Sequence, residues 1–105
     1  MSVDETDKVD FIIREADGGV WLVVTDHRSW GDAEHLWTLQ EKLNTYFAFI
    51  ESGQIRDHVA EGADIGIRIV LRHEPDQQAQ DFLMHAGEVS GRAGYPLTYE
   101  VRGDA

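Results

Sequence analysis

Residues Asp64 to Arg72 alternate without a break, with Ile65, Ile67, Ile69 and Leu71 on one parity and Gly66, Arg68, Val70 and Arg72 on the other. A period of two is that of a strand with one apolar face and one mixed face. This one run constrains the whole chain. A strand buried on both faces reads as a continuous apolar stretch, so the alternation predicts a sheet covered on one side only.

The rest of the chain supplies what is needed to cover that side. Val9, Phe11 and Ile13 share one parity and Ile12 takes the other, so Val9 to Glu15 reads as a strand. Asp17-Gly18-Gly19 then suits a tight reversal into a second β-rich run, Val20 to Thr25, because glycine accepts positive φ. Leu36, Leu39, Leu43, Tyr46, Phe47 and Ile50 recur at three- and four-residue steps, which predicts an amphipathic helix. Ser29 or Asp32 is placed to cap it, and Gly53 to end it near Ser52. The connection 53–63 is long enough to hold a short helical turn. Pro75 suits the first turn of a second helix, whose inner stripe is Ala79, Phe82, Leu83, Ala86 and Val89 and whose end is marked by Gly91 and Gly94. Tyr95, Leu97, Tyr99 and Val101 alternate in a last strand, where Pro96 indicates an edge or a strand start.

The order is ββαβαβ. Right-handed crossovers make the second, third and fourth strands parallel, and a sheet order running in one direction puts both helices on the same side. The expected fold is α+β: a two-layer α/β sandwich, a four-stranded mixed sheet with two helices on one face. With 105 residues the chain suits one domain. That domain is expected over residues 9–102, between an acidic disordered start, 1–8, and a short tail, 103–105.

Charge narrows the partners. Twenty acidic against nine basic side chains give a formal net charge of -11, which repels polyanions, so nucleic acid and anionic lipid are not expected as partners. A basic protein suits this surface better. The absence of cysteine excludes disulfides. No run approaches the about 18 apolar residues of a spanning helix, and the start lacks a secretory pattern. A cytoplasmic protein without membrane contact is expected.

The stretch holding Asp26, Trp30, His35-Leu36, Leu39-Gln40, Lys42, Asn44, Tyr46 and Phe49-Ile50-Glu51-Ser52-Gly53 resembles the core of a family of small bacterial proteins known as a domain of unknown function. The resemblance spans residues 8–102, and its most specific part is the helical run LQEKLNTYFAFIESG. It implies membership of that family and no assigned activity.

Asp26, His27 and His35 are the candidates for catalysis or metal binding. Asp26 ends the second strand and His35 opens the following helix, where ligands of open α/β sheets gather. An imidazole and a carboxylate can share a proton or a divalent ion. No HExxH or HxH accompanies them, and the alternative is structural: Asp26 accepting amide hydrogens of the turn and His35 bonding locally. No catalytic residue, cofactor or metal is assigned. Asp81, His85 and Glu88 share an outer flank of the second helix as an ordinary surface charge group. No nucleophile elbow or phosphate loop is present.

Two surfaces suit protein binding. Rotation about the first helix places Trp37, Gln40, Asn44 and Glu51 on one flank of its buried stripe and His35, Lys42 and Phe49 on the other. Trp37 and Phe49 then remain partly exposed, unless Ile55 and Val59 of the 53–63 connection fold over one of them. The uncovered sheet face is expected to hold Ile12, Trp21, Val23 and Val70 among Arg14, Thr25, Arg68, Arg72, Thr98, Glu100 and Arg102. Self-association would hide this patch; the alternative is that arginine stems lie over Trp21 and Val70 and keep a monomer soluble. The reading is a non-enzymatic binding or regulatory module acting as a homodimer. The alternatives are an immunity or inhibitor protein against a basic toxin or nuclease, a small enzyme or metal protein using Asp26 and His35, and a structural accessory domain.

Overall fold

The computed structural model describes residues 9, 11–57, 59 and 62–103. The start, 1–8, and the last two residues lie outside the described residues, and with them the expectation that the ends fray. The elements are β1 (Phe11–Arg14), β2 (Val20–Asp26), α1 (Ala33–Glu51), a 3-10 turn (Gln54–Asp57), β3 (Ile65–Leu71), α2 (Gln77–Arg92) and β4 (Leu97–Val101). The sheet runs β1-β2-β3-β4, with β1 antiparallel to β2 and the other neighbours parallel. It is the expected α+β sandwich, strand for strand.

One parity of the sheet meets the helices. Leu22 and Val24 of β2 and Ile67, Ile69 and Leu71 of β3 form one buried cluster with Leu39, Leu43 and Tyr46 of α1 and Leu83 and Ala86 of α2. Burial of each large aliphatic side chain contributes about 1.5–3 kcal/mol, so this layer is the main source of stability. The two helices share it, which places both on the same face. Ile55, from the 3-10 turn, closes one side of the cluster.

Local chemistry sets the helix ends. Asp32 caps α1, its Oδ1 accepting from the Glu34 amide at 2.9 Å. Ser29, the other expected cap, lies outside the helix. The end is as expected, at Ser52 with Gly53 at φ +84°. At α2 the expectation about Pro75 fails: the helix starts at Gln77 and Asp76 is the cap. The Asp76 Oδ1 accepts from the Ala79 amide at 2.8 Å, which satisfies a free first-turn donor and leaves Pro75 just before the helix.

The hairpin corrects the reading of β1. Glu15 and Gly19 pair across three residues: the Glu15 amide donates to the Gly19 carbonyl at 2.7 Å and the Gly18 amide to the Glu15 carbonyl at 3.0 Å. Gly18, at φ +91°, takes the left-handed position of this loop, so the reversal centres earlier than the glycine pair suggests. A shift of one residue exchanges the two faces of a strand. Ile12 therefore pairs beside Leu22 and Arg14 beside Val20, on the helix side, while Phe11 and Ile13 pair beside Val23 and Trp21 on the bare side. Ile12 and Arg14 are not members of the uncovered face.

Lys42 is a second correction. Instead of bordering the core on an open flank of α1 it is fully buried, with its Nζ 5.6 Å from the centre of the Tyr46 ring. The Tyr46 hydroxyl in turn donates to the Val23 carbonyl at 2.7 Å. The polar ends of α1 thus reach under the helix to the sheet. Among the described residues, no helix is long and apolar enough to cross a membrane.

Tyr95 ties the far end of α1 to the segment entering β4. Its hydroxyl donates to Glu51 Oε1 at 2.7 Å. Burial, reinforced by the hydrogen bond to Glu51 and its negative charge, pushes the phenol up from the ordinary 10.0 to about 12. A group that holds its proton more tightly when folded gives its full stabilisation below its unfolded pKa and loses it as pH rises through the folded one. The stability advantage of wild type over Tyr95→Phe should therefore shrink between pH about 10 and about 12. Urea midpoints of the two proteins across that window test this, and parallel curves would contradict it.

Candidate functional site

The turn from β2 into α1 brings Asp26 and His35 together. Asp26 ends β2 on its helix-facing parity, and His35 stands in the first turn of α1, three residues past the cap. Their side chains are fully buried, with Asp26 Oδ2 2.5 Å from His35 Nε2. The other carboxylate oxygen accepts from the Arg28 amide at 3.0 Å. His35 Nδ1 faces the Ser29 carbonyl at 2.9 Å. A carbonyl only accepts, so Nδ1 carries a hydrogen, and one more hydrogen lies between Nε2 and Oδ2. Trp30 stacks on the imidazole, ring centres 4.0 Å apart and planes 14° apart, and its indole N–H donates to the His73 carbonyl at 3.0 Å.

This arrangement decides what the pair can do. A carboxylate that orients a catalytic imidazole binds one ring nitrogen and leaves the other for substrate. Here the second nitrogen is taken by the backbone and Trp30 lies over the ring. Both His35 nitrogens and both Asp26 oxygens have protein partners, so the pair clasps β2 to α1. His27 is half-buried in the same turn. Among the described residues no group of three or more His, Asp or Glu side chains gathers in a way that could hold a metal ion.

The candidate binding residues fall into three places. Trp21, Val23, Arg68 and Val70 lie together on the bare sheet face. Val23 and Val70 are buried there, in spite of having no helix above them. Trp21 lies across Gly66, so closely that a Cβ at residue 66 would stand 2.5 Å from the indole Cζ3. The Arg68 guanidinium covers the indole, 4.5 Å from the ring centre, and reaches Glu15 Oε1 at 3.9 Å. The expectation that arginine lies over Trp21 is met at Arg68. It leaves the neighbouring part of the face open: Phe11 is 53% and Ile13 44% exposed, beside a hollow of about 460 Å³ that also reaches Val23, Val70 and Arg102.

Gln40 and Asn44 are exposed on α1 at the lip of a hollow between the helices, and Trp37, 61% exposed, is one turn before Gln40. Phe49 faces away from them. It is half-buried against the core and lines a separate hollow with Val9 and Ile12. Phe11, Ile13 and the groove residues Phe82 and Val89 stand out in the sequence as apolar faces of a strand and a helix, not as surface residues. Phe11 and Ile13 depend on hairpin register, and the two others have the spacing of an inner stripe that α2 turns partly outward.

A family model described as a family of unknown function, DUF6572, matches residues 1–103. The chain belongs to the DUF6572 family. That agrees with the resemblance carried by the α1 run, in chain size and in the absence of an assigned function. No curated protein and no solved structure matches it. Within this DUF6572 chain the chemistry of the site therefore rests on its geometry.

Loss of one partner from a buried, hydrogen-bonded pair costs about 3–5 kcal/mol because the other is left uncompensated. His35→Leu should cost about that much in urea unfolding, and Asp26→Leu with His35→Leu together should cost less than the sum of the single changes. Additive losses, or a single loss below about 1 kcal/mol, the scale of an exposed pair, would show that the clasp does not hold the turn.

Proposed function

We propose that this DUF6572 protein is a non-enzymatic protein-binding module that acts as a homodimer through the bare face of its sheet. The exposure of Phe11 and Ile13 beside the hollow at Val23 and Val70 carries this reading. Apolar side chains on a sheet face that no described element covers gain from burial against a second apolar surface.

A second copy suits that face because it carries both signs. Arg68 and Arg102 line the hollow together with Glu100, and Glu15 lies at the Arg68 guanidinium. In a two-fold contact each patch meets itself, so a face holding both signs can set one against the other. The engaged Asp26–His35 pair supports the non-enzymatic part of the reading.

Charge gives the test its sign. Two copies, each at -11, repel one another at long range, and salt screens that repulsion over a length of about 10 Å at 0.1 M. Sedimentation equilibrium should show a dimer that tightens as salt rises, whereas a basic partner held by charge would be released. Phe11→Asp with Ile13→Asp should give a monomer without loss of fold, since both side chains are exposed. A monomeric mass at protein concentrations up to about 1 mM, where association is worth only about 4 kcal/mol, refutes the homodimer.

A further inference from the structure

β1 is an edge strand, paired with β2 on one side and with no described strand on the other. The hairpin decides which of its peptide groups face that open side. The Glu15 amide donates inward to the Gly19 carbonyl, and the Val20 amide turns away from β1 to the Asp64 carbonyl at 2.8 Å. Hydrogen-bonded and non-hydrogen-bonded pairs alternate along an antiparallel ladder. Arg14–Val20 and Ile12–Leu22 are therefore non-hydrogen-bonded pairs, and the N–H and C=O of Ile12 point away from β2. A hollow lies on each face of that edge. On the helix side a space of about 530 Å³ opens where Val9 and Ile12 face Ala48 and Phe49 of α1, and among the described residues no charged side chain lines it. On the bare side the exposed Phe11 and Ile13 border the hollow at Val23 and Val70.

We propose that β1 of a second copy pairs antiparallel with this edge, about a two-fold axis at Ile12, and joins two four-stranded sheets into one. An edge that presents main-chain groups between two hollows fits an added strand: hydrogen bonds hold its main chain, and alternate side chains enter the hollows. β1 is itself such a strand, with Ile12 apolar on one parity and Phe11 and Ile13 on the other. With the axis at Ile12, the Ile12 amide of each copy donates to the Ile12 carbonyl of the other. The two Ile12 side chains then meet between the hollows beside α1, and Phe11 of each copy lies against Ile13 of the other. An axis at Arg14 sets two guanidinium groups directly opposite one another, which disfavours that register. The uncharged lining also lets two chains of net charge -11 approach here, and it offers nothing to a strand chosen for its basic residues. The inference rests on the homodimer reading and names the contact through which the copies meet.

Amide hydrogen exchange of the full chain, followed by NMR at about 0.02 mM and at about 1 mM, tests the contact. Exchange at Ile12 should slow by at least about tenfold at the higher concentration, because its N–H turns away from the sheet of its own copy. Two variants accompany it. Ile12→Pro removes that donor without removing a bond to β2, and Ala48→Glu brings a charge into the hollow from an exposed position of α1. Each should weaken the dimer in sedimentation equilibrium by at least about tenfold while circular dichroism stays unchanged. A dimer whose Ile12 amide exchanges equally fast at both concentrations, or one that survives Ala48→Glu unaltered, overturns this contact and leaves the homodimer reading standing. A wild-type chain that stays monomeric at about 1 mM overturns both.

Discussion

Everything in this fold depends on β3 being parallel to both of its neighbours. A parallel pair cannot be joined by a tight turn, so each connection must leave the sheet, cross it and return. With β2, β3 and β4 in sequential order, two right-handed crossovers pass over the same side. That obliges α1 and α2 to lie next to each other and leaves the opposite side without a crossover. The groove between the helices and the bare face of the sheet are thus two results of one topological constraint. The side chains of β3 agree with it, since Ile65, Ile67, Ile69 and Leu71 face the helices and Gly66, Arg68 and Val70 do not.

The interior is not wholly apolar, and its polar groups are concentrated under α1. Asp26, His35 and Lys42 are buried there, and Tyr46 places its hydroxyl on the carbonyl of Val23. An apolar stripe can slide or rotate with modest cost, whereas hydrogen bonds of defined direction cannot. The Asp26–His35 contact fixes the first turn of the helix on the end of β2. Tyr46 fixes the fourth turn on the middle of that strand. The rotation of α1, and hence the position of Gln40 and Asn44 beside the α2 groove, follows from those two anchors.

Those anchors are also where the sequence was least legible. β3, the element order and the termination at Gly53 could be read because each rests on a short-range rule: alternation, crossover handedness, a left-handed glycine. Asp26 and His35 could be singled out by position, and the alternative of a local structural role for them is the one the geometry supports. What could not be read was anything set by a contact across the fold. The face of Ile12 depends on which residues close the hairpin, and the glycine pair left that one residue short. Lys42 has the composition of a surface residue and is drawn inward by the aromatic and polar groups beneath α1. Pro75 and Asp76 both suit a helix start, and the deciding hydrogen bond belongs to Asp76.

The excess of acidic side chains on the helices has an effect at distances where no side chain touches anything. Among the described residues the helices hold more acidic than basic side chains, while on the far side of the sheet Arg68 and Arg102 are matched by Glu15 and Glu100, so the negative charge of these two layers sits toward the helical side. In the field of a charged object such a body experiences a torque as well as a force. It turns its helical layer toward a cation-rich surface while still diffusing, so which side arrives first is already selected before short-range packing begins.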